Sequence, residues 1–269
     1  MRQSGGATVG LDREVLTGGG VNEVVRIGST VRRPTGPWSS RVHGLLRHLE
    51  VVGFTAAPAF HEVTADGFEV LDFLPGEVCN YPVSEAAASR EALVSAAQLL
   101  RSYHDQTIDY LSSVPLEGWM LPAGEPVEVI CHGDFAPHNV VLNGRKAVGI
   151  IDFDTAHPGS RLEDVAYAVY RWAPITAPDN ADGFGTASKQ AARTRIFCDQ
   201  YGLDESGRTG LVDAVILRLN ALVDFMTSQA AEGNAAFASH LADGHHLQYL
   251  GDAAYLNGQR ELFTRGLFG

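Results

Sequence analysis

Lysine is nearly absent from this 269-residue chain: only Lys146 and Lys189 occur, so positive charge is carried almost wholly by arginine. Cysteine is scarce too. Cys79, Cys131 and Cys198 are odd in number and far apart, which fits neither a disulfide framework nor a zinc site and points to buried reduced thiols. No apolar run reaches the roughly 18 residues a transmembrane helix needs, so no membrane association is expected. Met1–Gly10 is polar and glycine-rich, without the apolar stretch of a secretion signal, so a soluble cytoplasmic protein is expected. A basic surface is also missing. The net charge of −12 argues against nucleic-acid partners, which are held by neutralising their phosphates. Disorder is excluded in turn by 45% apolar and only 19% charged residues.

What is present is unevenly distributed. Residues 1–75 carry 8 acids against 7 bases, whereas residues 76–269 carry 24 against 13. A near-neutral segment followed by an acidic one fits a lobe that handles anions and a second lobe that attracts cations, although surface solubility explains the excess equally well. The first segment reads as short strands around the Thr17–Gly20 and Gly28–Ser29 turns. A helix follows from Ser39 or Ser40 to about Val52, with Val42, Leu45, Leu46 and Leu49 at helical spacing. A hairpin comes next, with Asp66-Gly67 at its turn. Beyond Pro75 a helix is expected from Ser84 to Tyr103 or His104, then three short strands near residues 127–151, then helices to the end. The order predicts an α+β architecture of two lobes about a cleft: residues 1–75, rich in strands, and residues 76–269, mainly helical.

The chemistry concentrates in Ile130-Cys-His-Gly-Asp-Phe-Ala-Pro-His-Asn-Val-Val-Leu142 and Ile150-Ile-Asp-Phe-Asp154. Phosphoryl transfer from a nucleotide needs a carboxylate to receive the attacking hydroxyl and further oxygen ligands for Mg²⁺ on the phosphates. His132, Asp134 and Asn139 have the spacing H-x-D-x-x-x-x-N, and Asp152 follows the next predicted hairpin. A loop between strands, followed by a turn and another strand, is the setting in which those groups would face one another.

His132-Gly-Asp-x-x-x-x-Asn139 with Ile151-Asp-Phe-Asp154 resembles the signature of the aminoglycoside phosphotransferase and related small-molecule kinase family, which has a protein-kinase-like fold. Weaker likenesses extend over about residues 15–170: Gly18-Gly-Gly-Val-Asn22 resembles the nucleotide loop and Val70-Leu-Asp-Phe-Leu-Pro-Gly76 the hinge. Leu99–His104 and Leu162–Ala166 resemble the helices on either side of the catalytic segment. The resemblance implies that Asp134 is the base, that Asn139 and Asp152 hold Mg²⁺, and that ATP or GTP is the donor. It places Gly19, Gly20 and Asn22 over the phosphates, and the backbone at Asp72 and Leu74 against the nucleotide base. His132 and Asp164 are expected to brace the loop.

Two features depart from that family. Its kinases place a lysine on the third strand, paired to a glutamate on the next helix. Here no lysine precedes Lys146, and Val42-His43-Gly44 stands where the glutamate is expected. Arg32 is assigned to the nucleotide phosphates in place of the lysine, ahead of Arg33, because Val31-Arg32 continues the strand after the Gly28-Ser29 turn, and strand alternation admits only one of the two to the cleft. The leading expectation is a kinase for a small, cationic alcohol. A nucleotide-binding pseudokinase and a metal-dependent hydrolase built on His132, Asp134, His138, Asp152 and Asp154 are the alternatives.

Overall fold

A computed structural model describes residues 13–16 and 24–268. Strands β1 (Arg13–Leu16), β2 (Val24–Ile27), β3 (Thr30–Pro34), β4 (Phe60–Val63) and β5 (Phe68–Asp72) form one antiparallel sheet ordered β1-β2-β3-β5-β4. Gly28, at φ 63°, supplies the left-handed turn between β2 and β3. Helix α1 (Ser39–Val51) lies between β3 and β4 in the chain, and its Val42, Leu45, Leu46 and Leu49 are all buried, as their spacing predicts.

The mainly helical remainder begins after a tight connection. Gly76 has φ 145°, and a Cβ there would stand 2.5 Å from Val141 Cγ1 and 2.6 Å from the Leu142 carbonyl oxygen. Glycine is therefore needed for the chain to lie on the strand beyond, to which Glu77 is joined by reciprocal backbone hydrogen bonds with Leu142. The single helix expected from Ser84 is two: α2 (Glu85–Ala88) and α3 (Arg90–Thr107). Ser89 is extended, and its hydroxyl accepts from Ala92 N, so a new N-cap interrupts the helix. Strands β6 (Val129–Cys131) and β9 (His157–Gly159) pair with each other, as do β7 (Val140–Asn143) and β8 (Lys146–Ile150). Helices α4 (Arg161–Trp172), α5 (Ala187–Tyr201), α6 (Glu205–Ala231), α7 (Ala235–Ala242), α8 (His245–Gly258) and α9 (Arg260–Phe268) complete the described chain.

The two parts differ in architecture, but one core joins them. Leu45 and Leu49 of α1, Leu93 and Leu100 of α3, Trp172 of α4 and Leu267 of α9 belong to a single buried apolar cluster. No described helix is long and apolar enough to cross a membrane. The two small ribbons, β6–β9 and β7–β8, carry loops 132–139 and 151–156 at their ends, and these loops hold the site.

Candidate active site

Loop 132–139 is fixed from behind by one buried carboxylate. Asp164, in the first turn of α4, accepts from His132 N at 2.6 Å, from Gly133 N at 3.0 Å and from His104 Nε2 at 2.9 Å. Burial alone would raise its pKa, but the hydrogen bond and charge of His104, with the His132 amide, hold it far below the usual carboxylate range. Gly133 is required by space: it has φ 80°, and a Cβ would stand 2.4 Å from the Thr155 carbonyl oxygen. This close approach, which no side chain allows, brings the two loops together. His132 Nε2 donates to Ile151 O at 3.0 Å, Ile151 N donates to Asn139 O at 2.9 Å, and Thr155 Oγ1 donates to His132 O at 3.0 Å. His132 is thus a brace, and Asp164 a second one.

Asp134 presents a carboxylate with two unlike oxygens. Its Oδ2 accepts from Asn139 Nδ2 at 2.9 Å and lies 3.3 Å from His138 Nε2. Its Oδ1 is buried with no hydrogen-bond partner among the described residues. Burial would raise its pKa, but His138, the charge of His132 and the Tyr167 hydroxyl outweigh that and push it down to about 2. Asp134 is therefore an ionised acceptor with one oxygen held and one free.

On the opposite side of the cleft stands Arg33. The pleat of β3 turns Arg33 inward and leaves Arg32 exposed, so the assignment of Arg32 to the cleft is corrected by one residue. Arg33 Nε lies 2.5 Å from Glu69 Oε1, Nη1 lies 2.7 Å from Asp152 Oδ1, and Nη2 lies 2.7 Å from Asp154 Oδ1. Glu69 sits directly across from Arg33 in the β3–β5 register, and its other oxygen lies 2.5 Å from His43 Nε2. The glutamate absent from α1 is thus replaced by one on a neighbouring strand, while the helix contributes a histidine to it. Burial works against the Glu69 carboxylate, but the His43 hydrogen bond and the Arg33 charge more than offset it and keep its pKa low.

Asp152 is the one described non-glycine residue with positive φ, at 61°, and its side chain is half exposed. A strained backbone kept beside Asn139 is the kind of feature found where geometry serves a ligand. Arg33 carries one positive charge against three carboxylates, so a divalent cation would be welcome there. Asn139 commits its Nδ2 to Asp134 O and Oδ2, which leaves Oδ1 as a hard donor, and Asp152 Oδ2 is a second. These oxygens suit Mg²⁺. The hydrolase alternative fails on geometry: its five residues bring no three ligand atoms together among the described residues. The group that does converge is Cys131, His157 and Glu163, outside the predicted set. There the Cys131 thiol donates to Ser160 O at 3.3 Å, and burial holds its pKa well up.

Of the residues expected at the nucleotide, Gly19, Gly20 and Asn22 lie outside the described residues. Asp72 ends β5 with its carboxylate 2.7 Å from His61 Nε2, and the Leu74 side chain lies against Gly149. Sequence reasoning missed Glu69, which holds Arg33, and Tyr167, whose hydroxyl acts on Asp134. Tyr167 lies three residues after Asp164, a helical-face signal that was available in α4.

The profile of the phosphotransferase enzyme family matches residues 115–196, the stretch containing both loops. Across a longer span, the trifolitoxin immunity protein of Rhizobium leguminosarum bv. trifolii is 36% identical over 212 residues, covering 76% of this chain and 80% of that protein. The chain belongs to the phosphotransferase enzyme family. Solved structures agree on the fold of this phosphotransferase-family chain. A choline/ethanolamine kinase family protein from Mesorhizobium loti superposes with a TM-score of 0.62 at 19% identity, covering 97% of this chain and 92% of the other. Plasmodium vivax ethanolamine kinase gives 0.67 at 12% identity, with 93% and 83% covered. The fold of this family member is therefore the two-lobed kinase-like one, a strand-rich lobe followed by a helical lobe.

Proposed function

We propose that this chain transfers the γ-phosphoryl group of ATP or GTP, in a Mg²⁺-dependent reaction, to a hydroxyl of a small acceptor. The observation that carries the reading is the Asp134 carboxylate, ionised and fixed through Oδ2, with a buried Oδ1 that lies within hydrogen-bond distance of no described donor. Such an oxygen orients an alcohol and takes its proton as the alcohol oxygen bonds to phosphorus and the nucleoside diphosphate leaves with the bridging oxygen. Asn139 and Asp152 would hold Mg²⁺, which when bound neutralises and orients phosphate oxygens. Arg33 acts as a positioning residue: it fixes Asp152 and Asp154 against the strand-rich lobe, with Glu69 and His43 holding it in turn.

The test has two parts. Thermal stability should rise with ATP or GTP plus Mg²⁺, and by much less with either alone. Phosphate transfer should then be sought across amino-alcohols, aminoglycosides, sugars and hydroxy acids. A chain that Mg²⁺-nucleotide fails to stabilise and that transfers phosphate to none of these is not a kinase. Stabilisation without turnover of any acceptor would favour a nucleotide-binding module.

A further inference from the structure

Arg171 is a buried charge for which the described residues supply no hydrogen-bond acceptor. Its side chain is nine-tenths buried, its Nε is shielded from solvent without an acceptor, and it makes no hydrogen bond to a described residue. Its nearest counter-charge is Asp182 Oδ2, 3.8 Å from Nη2 and too far for a hydrogen bond. The guanidinium lies over the Tyr81 ring at 4.1 Å, with the Tyr170 ring at 5.5 Å. Those faces offset part of the lost hydration but accept no in-plane N–H. Other buried or half-buried arginines are held by the chain. Arg193 also has an unpaired Nε, but its two Nη atoms donate to the carbonyls of Ala88 and Trp172, and Arg218 donates to Gly133 O. A buried cation left without acceptors is costly, so it implies an acceptor that the chain does not supply.

Its surroundings say where that acceptor comes from. Arg171 follows Tyr167 by one turn on the same face of α4, and the Tyr167 hydroxyl is among the groups acting on Asp134. Tyr81 makes a second link: its ring meets His138 edge-on at 6.0 Å, and His138 Nε2 is 3.3 Å from Asp134 Oδ2. The Tyr81 hydroxyl is also buried with no partner in hydrogen-bond geometry; burial pushes its phenol up more than the neighbouring Arg171 pulls it down, so it remains a donor. Two unpaired donors therefore lie together, and the Tyr81 ring links them through His138 to Asp134. The acid excess of residues 76–269, which favoured a cationic acceptor, is not repeated here. Of the charges that act most strongly on Tyr249 at this corner, Arg171 and Arg218 are positive and Asp134 and Asp182 negative.

We propose that the phosphoryl acceptor carries an anionic group, a carboxylate or a phosphate ester, held by Arg171 and Tyr81 while its hydroxyl faces Asp134. This rests on the kinase reading above. A planar guanidinium matches either anion through paired N–H bonds.

The experiment uses alcohols matched except for the anion: glycerate against glycerol, serine against ethanolamine, and glycerol 3-phosphate to separate phosphate from carboxylate. Mg²⁺-ATP-dependent transfer is measured on each, and binding is measured with a non-hydrolysable ATP analogue. The anionic member of a pair should be preferred by at least about tenfold in kcat/KM. Arg171→Gln should bring that preference to within about twofold, with Arg171→Lys intermediate. Asp182→Asn, which removes the competing carboxylate, should strengthen the preference; a merely structural Arg171 would not produce that gain. A neutral or cationic member that is equal or better in the wild type overturns the proposal, as does a folded Arg171→Gln protein with its preference intact. If no member is turned over, equilibrium binding decides, and the absence of Arg171-dependent binding of the anions overturns it. Failure of Mg²⁺-nucleotide to bind sinks the kinase reading itself, an outcome distinct from transfer without anion preference.

Discussion

Two arginines are buried to the same degree, and the chain treats them in opposite ways. Arg33 has a carboxylate on each of its three nitrogens, from β5 and from the loop after β8. Arg171 has none within hydrogen-bond reach and rests between tyrosine faces. A guanidinium satisfied by its own protein is part of the frame, and here it ties the sheet to loop 151–156. One left unsatisfied at similar burial is part of a binding surface, because its missing acceptors must arrive with something else. Burial and charge are alike in the two cases; hydrogen-bond accounting separates them.

The largest expected effect tests the satisfied member of the pair. Arg33→Ala leaves Glu69, at 1% exposure, facing only His43 and releases Asp152 and Asp154 from the strand-rich lobe. Breaking a buried ion pair from one side typically costs about 3–5 kcal/mol, and denaturant melts should show a loss of that order. Arg33→Lys should recover only part, since one ammonium cannot reach three carboxylates in a fork. If Arg33→Ala melts like the wild type, the cluster is not the frame described here, and the contrast with Arg171 collapses.

Next in size is Asp134→Asn, which keeps the shape of the side chain but removes its negative charge. Phosphate transfer should fall by about two or more powers of ten, while stabilisation by Mg²⁺-nucleotide is retained. Near-normal turnover would show that the unpaired Oδ1 is not the atom that receives the acceptor.

A smaller effect separates loop from frame by pH. Asp164 and Asp134 are both held below their ordinary pKa, and burial lowers that of His104 despite the neighbouring Asp164. Lowered carboxylates contribute stability that is fully present above the ordinary carboxylate range and is lost as pH falls through their folded values. A histidine whose pKa is lowered by burial acts in the same direction, because the unfolded state binds its proton more readily. Stability should therefore fall on acidification below about pH 6, steeply below about pH 4, where the carboxylates begin to protonate. Asp164→Asn should be less stable at pH 7 and should show a shallower dependence on acid. Parallel curves for the two proteins would mean that Asp164 does not carry this linkage.

Much of this was legible in the chain, and what was not has physical causes. Loop 132–139 could be read because its residues are local in sequence, and α1 because four apolar residues keep helical spacing. Glu69 could not be assigned as the partner of Arg33, because the pair exists only through the β3–β5 register, 36 residues apart. Arg171 looks like any surface arginine in an arginine-rich chain; only three-dimensional burial reveals that it has no acceptor. Charge summed over a lobe is similarly blind to a corner where two arginines balance two aspartates.

The smallest expected effect belongs to Arg32, and it is the most direct check on strand register. Arg32 pairs with Val70 across β3–β5, on the face opposite Arg33, and its side chain is exposed to solvent near the fully exposed Asp66. An exposed charge beside another exposed charge contributes little once water and salt screen it. Arg32→Ala should therefore change stability by no more than about 0.5 kcal/mol and leave the nucleotide KM unchanged. Side chains alternate along a strand, so a slip of one residue would exchange the roles of Arg32 and Arg33 completely, with no intermediate arrangement. A strong effect at Arg32 with indifference at Arg33 would thus restore the sequence assignment and remove the three-carboxylate cluster. With both arginines indifferent, neither would be the cation that replaces the missing lysine. The expected asymmetry, large at 33 and negligible at 32, would place that cation within the frame, two strands from the edge of the sheet.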